Sequence, residues 1–315
     1  MIKRLSSGAV ALALLAALGI SGASAQYPEK EITFLIPYKP GGGFDTYVRA
    51  LVPVMEKRLK VTVVPKNMPG AGGRKAASYL YKSKPDGYRI SIMNLPGKAI
   101  AAIQGKKTGY DIRKFTWLGR IATDGYVIAV AKKSPFKSVA DLKKAGRTIK
   151  VATTGPGSTA YVVSKIAAKV LGLDFGWVTG YKGSSGMSVA VIRGDTDIGF
   201  FVNRSYAKFA KSGDLRGISS LQMKAAFPGL ENLTDLKAPE LASVTLQRLV
   251  AGPPGLPKDI KGTLANALYD SVNDPDFQAW SKKSKRPVQA LRADEAAKLI
   301  DELVTFYTRY KDALK

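Results

Sequence analysis

Histidine and cysteine are both absent from this chain of 315 residues. Without histidine there is no imidazole general base, no Ser-His-Asp triad and no imidazole metal ligand. Without cysteine there is no disulfide, no thiolate nucleophile, no structural zinc of the usual Cys/His kind and no residue to carry a lipoprotein anchor. Acidic residues are scarce: 24 Asp and Glu stand against 49 Lys and Arg, a net charge of +25. Beyond one N-terminal run, no stretch is long and apolar enough to span a bilayer, which takes roughly 20 residues. What is present, 45% hydrophobic and 23% charged residues, suits a globular chain of about two domains rather than a disordered one.

The N-terminal run reads as a secretory signal. Lys3 and Arg4 precede an apolar stretch over 8–20, and Ala23-Ser24-Ala25 fits the small-x-small cleavage rule. Removal of residues 1–25 would leave Gln26 as the mature start of an exported, periplasmic protein. The signal holds only two basic residues, so the mature chain keeps nearly all of the positive excess.

The rest alternates strand and helix signals. Strands are expected at 32–37, 61–64, 88–93, 125–131, 148–153, from 177, at 197–201 and at 243–250, with helices at 45–59, 74–82, 139–145, 158–171 and 185–193 and two more closing the chain. Pro53 predicts a kink in the first helix. Ser158 is a natural N-cap and Gly172 a natural stop. The β-α-β progression implies mainly parallel sheets flanked by helices in two α/β units. Ligands of such sheets sit at the carboxyl ends of strands, beside helix N-termini.

Two loops have that setting. Pro40-Gly41-Gly42-Gly43-Phe44-Asp45 lies between a strand and a helix, where glycine admits close backbone approach and free amides attract an anion. It is neither a Walker A loop nor G-x-G-x-x-G. Thr153-Thr154-Gly155-Pro156-Gly157-Ser158-Thr159 repeats the design in the second unit. Either loop alone could be a capped turn; one per unit makes a cleft that grips an anion from both sides. No catalytic set emerges. Ser134 to Lys137 matches S-x-x-K but reads as surface, and Asp195 with Asp197 could form a carboxylate pair or a metal site but reads rather as a turn entering a strand. Phe44, Tyr161, Phe200 and Phe201 could pack on the body of an apolar ligand or simply fill the core.

Taken in order, the motifs resemble the Bug family, the periplasmic solute-binding proteins of tripartite tricarboxylate transporters. The motifs are Ile36-Pro37-Tyr38, Gly41-Gly42-Gly43-x-Asp45-x-x-x-Arg49, Asn67-x-Pro69-Gly70-Ala71-Gly72-Gly73, Pro85-Asp86-Gly87-Tyr88 with Asn94, Gly155-x-Gly157-Ser158, Tyr181-Lys182-Gly183-Ser184, Gly194-Asp195-x-Asp197 and the Pro253-Pro254-Gly255-Leu256-Pro257 turn. The resemblance implies a two-lobed Venus-flytrap fold of type II. Residues 26–130 with 251–315 would form lobe 1 and residues 131–250 lobe 2. It also implies a carboxylate held between the lobes, with Tyr38, Gly42, Gly43 and Asp45 on one side, Gly157, Ser158 and Thr159 on the other, and water bridging them. Phe44, Arg74, Asn94, Tyr161, Asp197 and Arg204 complete the candidate set. Relatives commonly carry His at 161, Asn at 74 and a small residue at 44, and Lys98 and Arg204 are unusual for their positions. Arg74 or Arg204 would supply a second carboxylate clamp, since guanidinium pairs bidentately with carboxylate, unless they are simply surface charge in a strongly basic protein, the reading slightly favoured.

The function implied is capture of a small carboxylate, a C4-dicarboxylate or related organic acid, or an aromatic acid, by a monomer without metal or cofactor. Delivery is to membrane subunits of the transporter. An exported enzyme using Ser158 or Asp45 lacks a paired base. A nucleic-acid binder would cluster its basic residues among aromatics, whereas here they are spread over most helices and turns.

Overall fold

The computed structural model describes residues 27–105, 108–156 and 158–314. The expected signal and Gly157 lie outside them. Two five-stranded sheets, each covered by helices, make two lobes.

The first sheet has the order β2-β1-β3-β10-β4, from β1 (Ile32–Ile36), β2 (Val63–Asn67), β3 (Arg89–Leu95), β4 (Thr116–Asp124) and β10 (Leu246–Gly252). The second has the order β7-β6-β8-β5-β9, from β5 (Tyr126–Ala131), β6 (Ile149–Ala152), β7 (Phe175–Val178), β8 (Ile198–Val202) and β9 (Leu215–Ser220). Both share one winding: β1 lies between β2 and β3, and β6 lies between β7 and β8. In each sheet one strand is reversed: β10 is antiparallel to β3 and β4, and β5 to β8 and β9. Each reversed strand is the one on which the chain arrives from the other lobe.

Sheets covered on both faces need near-continuous apolar strands. In β1 only Thr33 is less than buried, and β10 is buried along its whole length. Helix α1 (Gly43–Leu59) lays Tyr47, Val48, Leu51, Val52, Met55 and Leu59 on the first sheet at helical spacing and ends at Lys60 in the left-handed region. It runs as one element through Pro53, whose exposed ring faces solvent. Helix α2 spans Arg74–Tyr81. In the second lobe α3 (Val139–Lys143) precedes β6, and α4 (Thr159–Leu171) begins at an Ser158 N-cap and stops at Gly172, as its sequence implies. Helix α5 spans Gly183–Arg193 and α6 spans Asn203–Lys211. Helices α7 (Lys258–Val272), α8 (Pro275–Ser284) and α9 (Ala293–Arg309) return to cover the first sheet.

The sequence boundaries need correction. Gly125 alone separates β4 from β5, so the chain leaves the first sheet there rather than at 130, and it is back before Leu246 rather than at 250. Apolar periodicity marks a buried strand but not the sheet it joins. Strands β4 and β9 were not expected. Gly119 and Arg120 interrupt the apolar run of β4, and β9 is half serine and glycine. Trp177 and Val178 end a strand that starts at Phe175, and Ser243 belongs to a 3-10 turn before β10.

Candidate functional site

The carboxyl ends of β1 and β3 face those of β6 and β8 across the gap between the lobes. This is where the order of each sheet reverses, the place where open α/β sheets bind ligands. Four segments lie there: the glycine loop before α1, the 96–99 turn after β3, residues 153–156 and Ser158 before α4, and the start of α6.

The glycine loop is held by Asp45. Its carboxylate accepts from the Gly41 N–H at 2.9 Å, from Arg49 Nε at 2.9 Å and from Asn67 Nδ2 at 2.9 Å, while Asn67 Nδ2 also donates to the Tyr38 carbonyl. Burial pushes the Asp45 pKa up, but these donors outweigh it and hold the carboxyl below its usual range. Asp45 therefore turns inward and fixes the loop, leaving the first amides of α1 for something else. The N-cap, Gly42, has no side chain to satisfy them.

Tyr38 and Asn94 build the floor. The Tyr38 hydroxyl donates to Asn94 Oδ1 at 2.7 Å, and Asn94 Nδ2 donates across the cleft to Thr159 Oγ1 at 3.1 Å. Ser158 caps α4 by accepting from the Tyr161 N–H and donates its own hydroxyl to the Gly155 carbonyl. The lobes touch again where Arg204 Nε donates to the Ser284 carbonyl at 3.1 Å. Thus Tyr38, Asn94 and Thr159 are linked in one hydrogen-bonded chain, with Ser158 next to Thr159 and the Phe44 ring against Tyr38.

Cations stand at both ends of this floor. Lys98 is fully buried and donates Nζ to the Gly72 carbonyl, 5.9 Å from the Tyr38 ring centre. Burial and then the nearby Arg74 charge push its pKa down to about 7. The ring of Phe44 lies 4.9 Å from that of Tyr38, and the Arg248 guanidinium lies 5.4 Å from Phe44 and 4.6 Å from Tyr47. Its closest acid is Asp124, with Nη2 to Oδ2 at 3.8 Å, an ion pair too long for a hydrogen bond. Burial raises Asp124 to about 6 against the pull of Arg248 and Arg286, and burial with Arg204 nearby lowers Arg286 to about 10.

Not every candidate joins the cluster. Asp197 stands at the entry of β8, the end opposite Arg204, where Arg147 grips it through Nη1 and Nη2 at 2.8 and 2.7 Å and the Lys150 N–H adds a third bond. The Gly-Asp-x-Asp turn feeds the strand instead of lining the cleft, so Asp197 is corrected to a structural ion pair. Tyr161 packs beside Trp177 in its own lobe. Arg74 sits next to Lys98 and, among the described residues, donates to the Ala71 carbonyl at 3.3 Å. Sequence reasoning missed Arg248, Asp124 and Arg286. The available signal was a lone arginine in the apolar strand 246–252.

Gly73 shows how tightly the first wall is built. Its φ is +88°, and a Cβ there would lie 2.8 Å from Pro37 Cβ and 2.9 Å from Lys98 Nζ. Gly73→Ala is expected to lose about 1–3 kcal/mol of stability, read by urea unfolding.

A cleft between two α/β lobes, with helix N-termini and buried cations beside it, is the architecture of a solute-binding protein. Residues 47–311 match the model of the tripartite tricarboxylate transporter family receptor. The chain belongs to that family. Among curated relatives, a UPF0065 protein from the TAR-I ttuE-ttuC' intergenic region of Agrobacterium vitis is 26% identical over 282 residues, 87% of this chain and 81% of that one. Among solved structures, the periplasmic binding protein BugD is 22% identical with a TM-score of 0.78, covering 91% of this chain and 98% of its own. MatC of Rhodopseudomonas palustris, solved with bound malate, is 21% identical with a TM-score of 0.76, covering 92% and 100%. Among the described residues no helix is long and apolar enough to cross a membrane, and no group of acidic residues could hold a metal ion.

Proposed function

We propose that this chain is a periplasmic receptor that captures a small organic carboxylate between its lobes and presents it to membrane subunits of a tripartite tricarboxylate transporter. The observation that supports this reading is a helix N-terminus on each lobe, α1 with the bare Gly42 cap and α4 behind Ser158, with the Asn94–Thr159 bond tying the start of α4 to the first lobe. Backbone amides and hydroxyls at such ends hold carboxylate without histidine, metal or cofactor. Malate bound by MatC supports the ligand class. The basic surplus serves as a diffuse field that draws anions in, so affinity falls as salt rises.

Isothermal titration of the mature chain against C4 to C6 dicarboxylates, citrate and benzoate is the test. Saturable binding of one carboxylate per chain is expected. No binding across the panel at millimolar ligand would overturn the reading.

A further inference from the structure

Resting on that reading, we propose that Arg248 is the specificity residue of the cleft: it anchors a second acidic group of the ligand, so the receptor takes diacids in preference to monoacids. Arg248 is 3% exposed, yet its Nε and Nη1 have no hydrogen-bond partner, and neither does Asp124 Oδ1. A buried guanidinium that leaves its fork empty is costly unless something fills it. A carboxylate is the group whose geometry matches that fork.

The surroundings point the same way. Three guanidinium groups, Arg204, Arg248 and Arg286, act on the single carboxylate of Asp124 or on one another, so the cluster holds two positive charges more than negative. Arg248 also approaches the glycine loop: Nη2 would lie 3.9 Å from a Cβ on Gly43, at the first turn of α1. The Tyr38–Phe44 ring pair then lies between this pole and the Lys98 pole, an apolar bridge for a short carbon chain with an acid at each end.

Asp124 is the internal stand-in for the ligand. At 3.8 Å it neutralises Arg248 in part without bonding to it. A ligand carboxylate entering from the Gly43 side would make the hydrogen bonds Asp124 does not, and so bind without first breaking any.

The test compares succinate, glutarate and adipate with butyrate, valerate and hexanoate by isothermal titration. The wild-type chain is expected to bind at least one diacid about 30-fold or more tightly than its matched monoacid, the scale of a buried charge-assisted pair. Because Arg248→Gln alone strands a buried Asp124, the charge-balanced pair Arg248→Gln with Asp124→Asn is used, with circular dichroism to check folding. In it the diacid-to-monoacid ratio should fall to within about threefold, and Arg248→Lys, which keeps charge but loses the fork, should fall between. Equal binding of diacids and monoacids by the wild type overturns the inference and leaves carboxylate capture standing. So does a diacid preference that survives in the double variant. Absence of all binding removes carboxylate capture itself, and the inference with it.

Discussion

Replacing Asp45 with alanine will cost the folded chain about 3 kcal/mol at neutral pH and reduce carboxylate affinity at least about a hundredfold. The side chain is nearly buried, and three donors from three parts of the first lobe converge on it. Alanine passes the exposed Gly41 N–H to water and leaves Asn67 Nδ2 with the Tyr38 carbonyl. Arg49 is half exposed, so its share of the loss is the smallest. The loop then no longer presents the first turn of α1 as a fixed anion site, which is why affinity falls further than stability alone requires. Asp45→Asn keeps the shape and loses the charge, and should cost less than half as much. The pH dependence has a definite sign. Because the folded pKa lies below the unfolded value near 4, the contribution is present above that value and is lost as pH falls through the folded one. Urea unfolding of wild type and variant from pH 7 to pH 3 reads this as two curves that converge towards acid. Parallel curves, or an alanine variant within about 0.5 kcal/mol of wild type at pH 7, would contradict it.

Lys98→Met should do the opposite to stability while also weakening binding. Lys98 is fully buried, and among the described residues it has no acidic partner. Its neighbours are the Gly72 carbonyl, the Tyr38 ring and the repelling Arg74. Burial lowers its pKa to about 7, so between that value and the unfolded value near 10.4 the unfolded chain binds more protons and stability rises with pH. Methionine fills the space without the charge and should gain about 2–4 kcal/mol at pH 7. A carboxylate bound beside Lys98 would restore its proton. Wild-type affinity should therefore fall as pH climbs from 7 to 9, and titrations at pH 8 in buffers of different ionisation enthalpy should report close to one proton taken up per ligand. The methionine variant should show neither effect and bind at least about tenfold more weakly at pH 7. Proton uptake that persists in Lys98→Met would assign the titrating group elsewhere.

The frame of the molecule was readable because its strongest signals are local. Runs such as 32–37 and 148–153, bounded by glycine loops, announce strands, and Ser158 with Gly172 brackets a helix that the structure reproduces. The glycine loop, Tyr38, Asn94 and Thr159 could be placed at the cleft from motif order. What stayed hidden depends on tertiary context. Nothing local says that β10 crosses back into the first sheet, and so nothing says that Arg248, in a strand buried throughout, aims at Gly43. Asp197 misled for the same reason: a motif gives a residue its strand but not which end of the strand the ligand meets.

The exchange of reversed strands has a consequence for how the chain is made. The second sheet is complete within one uninterrupted stretch, from β5 to β9. The first cannot close until β10 slides between β3 and β4, long after those two have emerged. Local sheets assemble ahead of those that wait on distant segments. Although the first lobe leads in sequence, the second is thus expected to close its sheet first, while the facing edges of β3 and β4 wait unpaired for β10.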